Sequence, residues 1–185
     1  MTRLKHTETI GMGLPIHRKV HRHKPLGIGI GCDPDGPLDP APYYWRQESD
    51  TSNLIEIGVE KLSGRFLSFN LVNYHGQVIQ RREPFDTVSK KLSGIPRFDL
   101  GYWPKEAGPY DVRADFYDTR GTCQVEMYGG ALRVVLFPEE SETAFVVASG
   151  DELVSEFNAS GELVAIRTGP LTPKDLPNLA ASLGT

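Results

Sequence analysis

The sequence predicts a β-rich α+β fold: two mostly antiparallel sheets, one in each half of the chain, with a C-terminal helix packed on the second. Three observations lead there. The 14 prolines and 19 glycines among 185 residues leave few windows long enough for a helix. β-Branched and aromatic residues fill the short runs between them. Several runs alternate apolar and polar residues with the period of two that a half-buried strand requires.

Leu26 to Cys32 (LGIGIGC) is the first predicted strand, with Ile28 and Ile30 on one face and glycines on the other. Asp33 to Tyr43 is dense in Pro, Asp and Gly and reads as an irregular loop. Asn53 to Glu60 places Ile55, Ile57 and Val59 on one side, and Lys61 to Arg65 supplies the turn into Phe66 to Tyr74, so a hairpin is predicted. His75 and Gly76 allow a second reversal into an exposed third strand, Gln77 to Arg81, which completes a meander. Arg82 to Pro109 has weak periodicity and prolines at Pro84, Pro96, Pro104 and Pro109, so the divide between the halves falls there.

In the second half, Tyr110 to Tyr117 alternates Val112, Ala114 and Phe116 against Asp111, Arg113 and Asp115. A turn at Thr119 to Gly121 leads to Cys123, Val125 and Met127 on one face of the next strand. Gly129 and Gly130 form a two-residue reversal into Ala131 to Phe137, and strands follow at Thr143 to Ala148, Glu152 to Phe157 and Glu162 to Arg167. Asn158 to Gly161 joins the last two, because Asn and Gly tolerate positive φ. Thr172 before Pro173 fits an N-cap followed by a first-turn proline, with Asp175 near the positive end of a helix running to about Leu183. Leu176, Leu179, Ala180 and Leu183 fall at helical spacing, while Pro177 either kinks the helix or delays its start.

Four segments result: a basic arm at 1–25, a meander at 26–83, an irregular linker at 84–109, and a sheet with its helix at 110–185. Of 20 basic and 24 acidic residues, six basic and one acidic precede residue 26, leaving 14 and 23, so the body carries a charge of −9. Such a body repels nucleic acid and attracts basic protein surfaces. The arm either reaches a phosphate backbone or lies across the acidic body of its own chain; it holds no aromatic residue for base stacking, which favours the second. No run approaches the roughly 18 apolar residues of a spanning helix, so no membrane partner is expected. Two cysteines, Cys32 and Cys123, exclude a disulfide scaffold and a four-cysteine zinc site, and a reduced cytoplasm is expected.

The residues that bear chemistry form weak constellations. His17, His21 and His23 (in HRKVHRH) have spacings at which imidazoles meet a divalent cation, with His6 or Cys32 to complete the site. The interleaved Arg18, Lys19 and Arg22 oppose a cation, so a solvated polar segment is the preferred reading and no cofactor is expected. Cys123 reads as a small core hydrophobe and Cys32 as the better candidate for a reactive thiol. Glu139, Glu140 and Glu142 gather at a sheet corner, and Glu56 faces Arg65 across the first hairpin. Tyr44 and Trp45, with Tyr102 and Trp103, either line a recognition surface or plug the ends of the β core.

The stretch Asn53 to Val78 (NLIEIGVEKLSGRFLSFNLVNYHGQV) resembles the strand-turn-strand segment of small bacterial proteins of unknown function, some of them similar to immunity proteins of polymorphic toxin systems. Gly130 to Leu179 is similar to short bacterial β domains that end in a strand and a helix. The first resemblance implies stoichiometric binding of another protein and brings no catalytic residues with it. The expected function is therefore a non-enzymatic, protein-binding module of immunity type whose acidic surface masks a basic toxin. The alternative is a small enzyme or ligand-binding protein with a pocket between the halves, lined by Trp45, Tyr102, Trp103, His75 and acids.

Overall fold

Side-chain alternation decides which face of each strand is buried, and the hydrogen-bonded ladders decide which strands are neighbours. A computed structural model describes residues 3–11, 17–21, 27–31, 41–49, 53–85, 88–103, 115–140, 142–175 and 177–179. Fifteen strands lie among them: β1 (His6–Ile10), β2 (His17–His21), β3 (Gly27–Gly31), β4 (Tyr43–Glu48), β5 (Leu54–Val59), β6 (Phe66–Asn73), β7 (Ile79–Gln80), β8 (Lys90–Ser93), β9 (Ile95–Phe98), β10 (Phe116–Arg120), β11 (Gln124–Tyr128), β12 (Ala131–Val135), β13 (Phe145–Ser149), β14 (Leu153–Phe157) and β15 (Leu163–Thr168). The β-rich, mostly antiparallel character is as predicted, but three sheets form where two were expected. Their orders are β10-β4-β5-β6-β3-β2, β7-β11-β12-β15-β14-β13-β8, and β1-β9.

The predicted hairpins form where glycine supplies the turn. Gly64 (φ 73°) closes β5–β6, Gly129 and Gly130 (φ 56° and 82°) close β11–β12, and Gly161 (φ 80°) closes β14–β15. In the last, Asn158 Oδ1 accepts from the backbone N–H of Ser160 and of Glu162, at 3.1 and 2.9 Å. The inward positions also hold: Ile28, Ile30, Ile55, Ile57, Val59, Phe69 and Leu71 from the six-stranded sheet share one core with Val125, Leu132, Val134, Phe157, Leu163 and Ile166 from the seven-stranded sheet. Gln47, buried on β4, donates from Nε2 to the carbonyls of Thr122 (2.8 Å) and Leu136 (2.5 Å), which ties β4 to the residues just before β11 and just after β12.

Strand partners differ from the expectation of one sheet per half. β7 leaves the predicted meander and pairs in parallel with β11, while β10 pairs in parallel with β4. Thr119 and Arg120 therefore end β10, paired with Gln47 and Glu48, instead of turning a hairpin, and the chain passes to the other sheet over 121–123, with the Gly121 N–H donated to the Glu48 carbonyl at 3.1 Å. Period-two patterning reports which face is buried and holds no information about a parallel neighbour brought in by a long crossover. The predicted strand residues 110–114 lie outside the described residues.

The segment read as irregular contains β8 and β9, joined at Gly94 (φ 144°). β9 pairs with β1 of the basic arm, and this two-stranded sheet spans the larger two: the Phe98 N–H reaches the Gly64 carbonyl and the His6 N–H the Gly161 carbonyl, each at 2.7 Å. The His6 ring lies against Phe145 and Phe157, with centroids 5.3 and 5.0 Å away, and its Nε2 is 2.9 Å from Thr9 Oγ1. Burial, then the charge of Lys90, lowers its pKa below 6.5.

The C-terminal helix is described as a single turn at 177–179. Thr172 donates from both its N–H and Oγ1 to Asp175 Oδ2, at 3.0 and 2.8 Å, and the Leu179 N–H reaches the Asp175 carbonyl. Thr172 to Asp175 is thus a hydrogen-bonded turn ahead of the helix and not the predicted N-cap, since 173–175 is a turn and the described helical residues are 177–179; Leu179 is buried in the core.

Candidate functional site

Strand β4 (YYWRQE) alternates: Trp45 and Gln47 face inward and are buried, so Tyr44, Arg46 and Glu48 face outward. Parallel pairing with β10 sets Phe116 against Tyr44, Asp118 against Arg46 and Arg120 against Glu48. Antiparallel pairing with β5 sets Glu56 against Arg46 and Gly58 against Tyr44. Gly58 keeps this space open, since a Cβ there would come within 2.5 Å of Ser68 Oγ and 3.6 Å of the Tyr44 ring.

The rings of Tyr44 and Phe116 stack at 5.5 Å with an interplanar angle of 18°. Arg46 lies over Phe116, its Cζ 4.2 Å from the centroid, and grips Asp118 with two bonds: Nε to Oδ1 at 2.6 Å and Nη2 to Oδ2 at 2.9 Å. The hydrogen bond to Asp118 raises the Arg46 pKa against the opposing effect of burial, and the charges of Asp118, Glu56 and Glu48 add to the rise. Three carboxylates thus surround one guanidinium that is clamped in place. Just past β10, Thr122 donates to Glu139 Oε2 at 3.4 Å, and Glu142 is exposed.

Of the residues singled out in the sequence, Tyr44 belongs to this face, Glu139 is joined to Thr122 just past β10, and Glu142 is exposed. Glu140 closes the 3-10 turn Pro138–Glu140. Trp45 is fully buried with its edge toward Phe137 at 6.3 Å, and Trp103, 2% exposed, stacks on Tyr43 at 4.9 Å; both serve the core. Tyr102 is half-buried against Trp103 and Tyr117, and burial, then Asp99, Glu162 and Tyr117, raises its pKa. His75 is exposed, its backbone N–H donated to Asn53 Oδ1 at 2.7 Å.

His17 and His21 stand four residues apart on β2, paired with Gly31 and Gly27 of β3, while His23 and Cys32 lie outside the described residues. Among the described residues no three His, Cys, Asp or Glu side chains gather as metal ligands. Cys123 is half-buried, and burial pushes its thiol up to about 11, which keeps it protonated and unreactive. Glu56 does not face Arg65: it pairs with Asn70 across the hairpin, and Arg65 binds Glu60 at 2.9 Å.

Sequence reasoning missed Arg46 and Asp118, and it put Phe116 on the core face and Asp115 in water, whereas Phe116 joins the outer face and Asp115 is buried. Arg46 lies on a strand to which the sequence assigned no element, since the predicted loop ended at Tyr43, and its partners arrive from a strand about 70 residues later. No protein-family model matches this sequence, and no curated protein matches it. Among the described residues no helix is long and apolar enough to cross a membrane.

Proposed function

We propose that this chain is a non-enzymatic, protein-binding module of the immunity type, acting in the cytoplasm, and that the outer face of β10-β4-β5 receives a basic protein, a toxin. The observation that carries this reading is the Tyr44–Phe116 stack with Arg46 clamped to Asp118 above it. Tyr, Phe and Arg are the residue types enriched at interface centres, and rings already stacked lose little freedom when a partner covers them. Glu48, Glu56 and Asp118 supply a field that draws in a basic surface before contact. The body charge of −9 acts in the same direction.

The test is a calorimetric titration of the full chain against each basic protein encoded beside its gene, repeated with Glu56→Gln combined with Asp118→Asn. One-to-one binding by the wild type that weakens in the variant and falls with added salt is expected. No binding to any such neighbour, or binding indifferent to both carboxylates, contradicts the proposal.

A further inference from the structure

The outer face of the seven-stranded sheet, away from the face just described, carries a chain of ion pairs whose successive members alternate in charge. Register sets Glu126 opposite Arg133 on β11 and β12, and Arg133 opposite Arg167 on β12 and β15. Glu156 on β14 reaches both arginines, and Arg81, one residue past β7, reaches Glu126. The order is Arg81, Glu126, Arg133, Glu156, Arg167, with successive contacts of 3.3, 3.0, 2.8 and 3.0 Å. The chain of contacts begins and ends on an arginine, although in register Arg167 lies beside Arg133, so among the described residues of this row three guanidiniums meet two carboxylates on a largely desolvated face.

The middle of the row is saturated. Arg133 uses Nε and Nη2 on Glu156 and Nη1 on Glu126, and Thr143 Oγ1 also donates to Glu156. The ends are not. Among the described residues Arg81 contacts one carboxylate through Nη1. Arg167 contacts one through Nε, which lies 3.0 Å from Glu156 Oε1 but is not aimed at it, so this buried N–H makes an ion pair without a hydrogen bond. A guanidinium carries five N–H donors, and each end arginine leaves most of its fork uncommitted. The Phe85 ring, 7% exposed, stands by both, its centroid 5.8 Å from Arg81 Cζ and 5.7 Å from Arg167 Cζ, with its edge packed on Tyr128.

We propose that Arg81 and Arg167 form a binding site for a small oxyanion, phosphate or carboxylate, with Phe85 filling the site when it is empty. The surplus positive charge calls for an anion, and free guanidinium forks match the geometry of either group. The ring holds the two cations by their attraction to its face and gives way to the stronger charge-assisted bonds. This site is independent of the protein-binding face.

The experiment titrates the full chain with inorganic phosphate and, separately, with acetate, at ionic strength matched by sodium chloride, using calorimetry. Saturable binding of one of them is expected, with a Kd of about 1 mM or tighter. Arg81→Gln and Arg167→Gln should each weaken it about tenfold or more, and Phe85→Ala should leave it as tight or tighter. Arg167→Lys, which keeps the charge and loses the fork, should also weaken it, and serves if a glutamine variant does not fold. Absence of saturable binding by the wild type, or binding that the folded arginine variants leave unchanged, overturns the proposal. So does a folded Phe85→Ala that no longer binds.

Discussion

Replacing Glu156 by glutamine removes the carboxylate that holds the centre of the charged row. Its side chain is 4% exposed and is gripped by Arg133 at 2.8–3.1 Å and by Thr143 at 2.8 Å, with Arg167 Nε at 3.0 Å. Glutamine preserves the volume but leaves three arginines facing one carboxylate, and it points an NH2 group at donors. Breaking a buried ion pair from one side costs about 3–5 kcal/mol. Arg133 and Arg167 are 12% and 17% exposed, so water reaches them partly, which places the expected loss near the lower figure of about 3 kcal/mol. For a chain of this size that lowers Tm by about 6–12 °C. Urea unfolding and thermal melts of wild type, Glu156→Gln and the exposed control Glu142→Gln measure it. Adding Arg167→Met to Glu156→Gln should recover part of the loss, because it removes a cation left without its partner. A Glu156→Gln melt within about 2 °C of the Glu142→Gln melt would refute the reasoning.

Three further outcomes follow from the geometry. His6 has its pKa lowered by burial, so the unfolded chain protonates there first: stability is full above pH 6.5, and falls as pH drops through that value until the folded-state pKa is passed. Urea midpoints at about pH 7.5 and about pH 5.5 should diverge more in wild type than in His6→Gln. Gln47→Leu strands the carbonyls of Thr122 and Leu136 and should cost about 2–6 kcal/mol in urea unfolding, at about 1–3 kcal/mol for each lost partner. Gly64→Ala forces a side chain onto φ 73° and against the Phe98 carbonyl, and should lower stability by about 1–3 kcal/mol, read as a lower urea midpoint.

The parts of the fold legible in the sequence are those set by neighbours along the chain. Gly129 and Gly130 announce their reversal because positive φ is open to glycine, and Ile55, Ile57 and Val59 announce their face through the period of two. The turn at Asn158 to Gly161 was legible for the same local reason. Pairings of β4 with β10, β7 with β11 and β8 with β13 were not, since a parallel neighbour arrives by a long crossover and leaves no local mark. That is why Tyr44 stood out as an aromatic residue while Phe116 and Asp118, which complete its surface, did not. Trp45 and Trp103, which the sequence left open as surface or core rings, fill the core; composition alone did not decide between the two because it does not tell which face of a strand such as β4 points inward. The charged row on the second sheet hides for a related reason. Glu126, Arg133, Glu156 and Arg167 occupy alternate strand positions that normally face water, yet here they are largely buried.

The most direct test of the binding face is the affinity of the full chain for a basic neighbouring-gene protein, compared among wild type, Tyr44→Ala and Phe116→Ala, each first shown to melt as a folded protein. Loss of about tenfold or more in affinity for each truncated ring, carried mainly by faster dissociation, is the expected result. Equal affinity for all three folded proteins would contradict it.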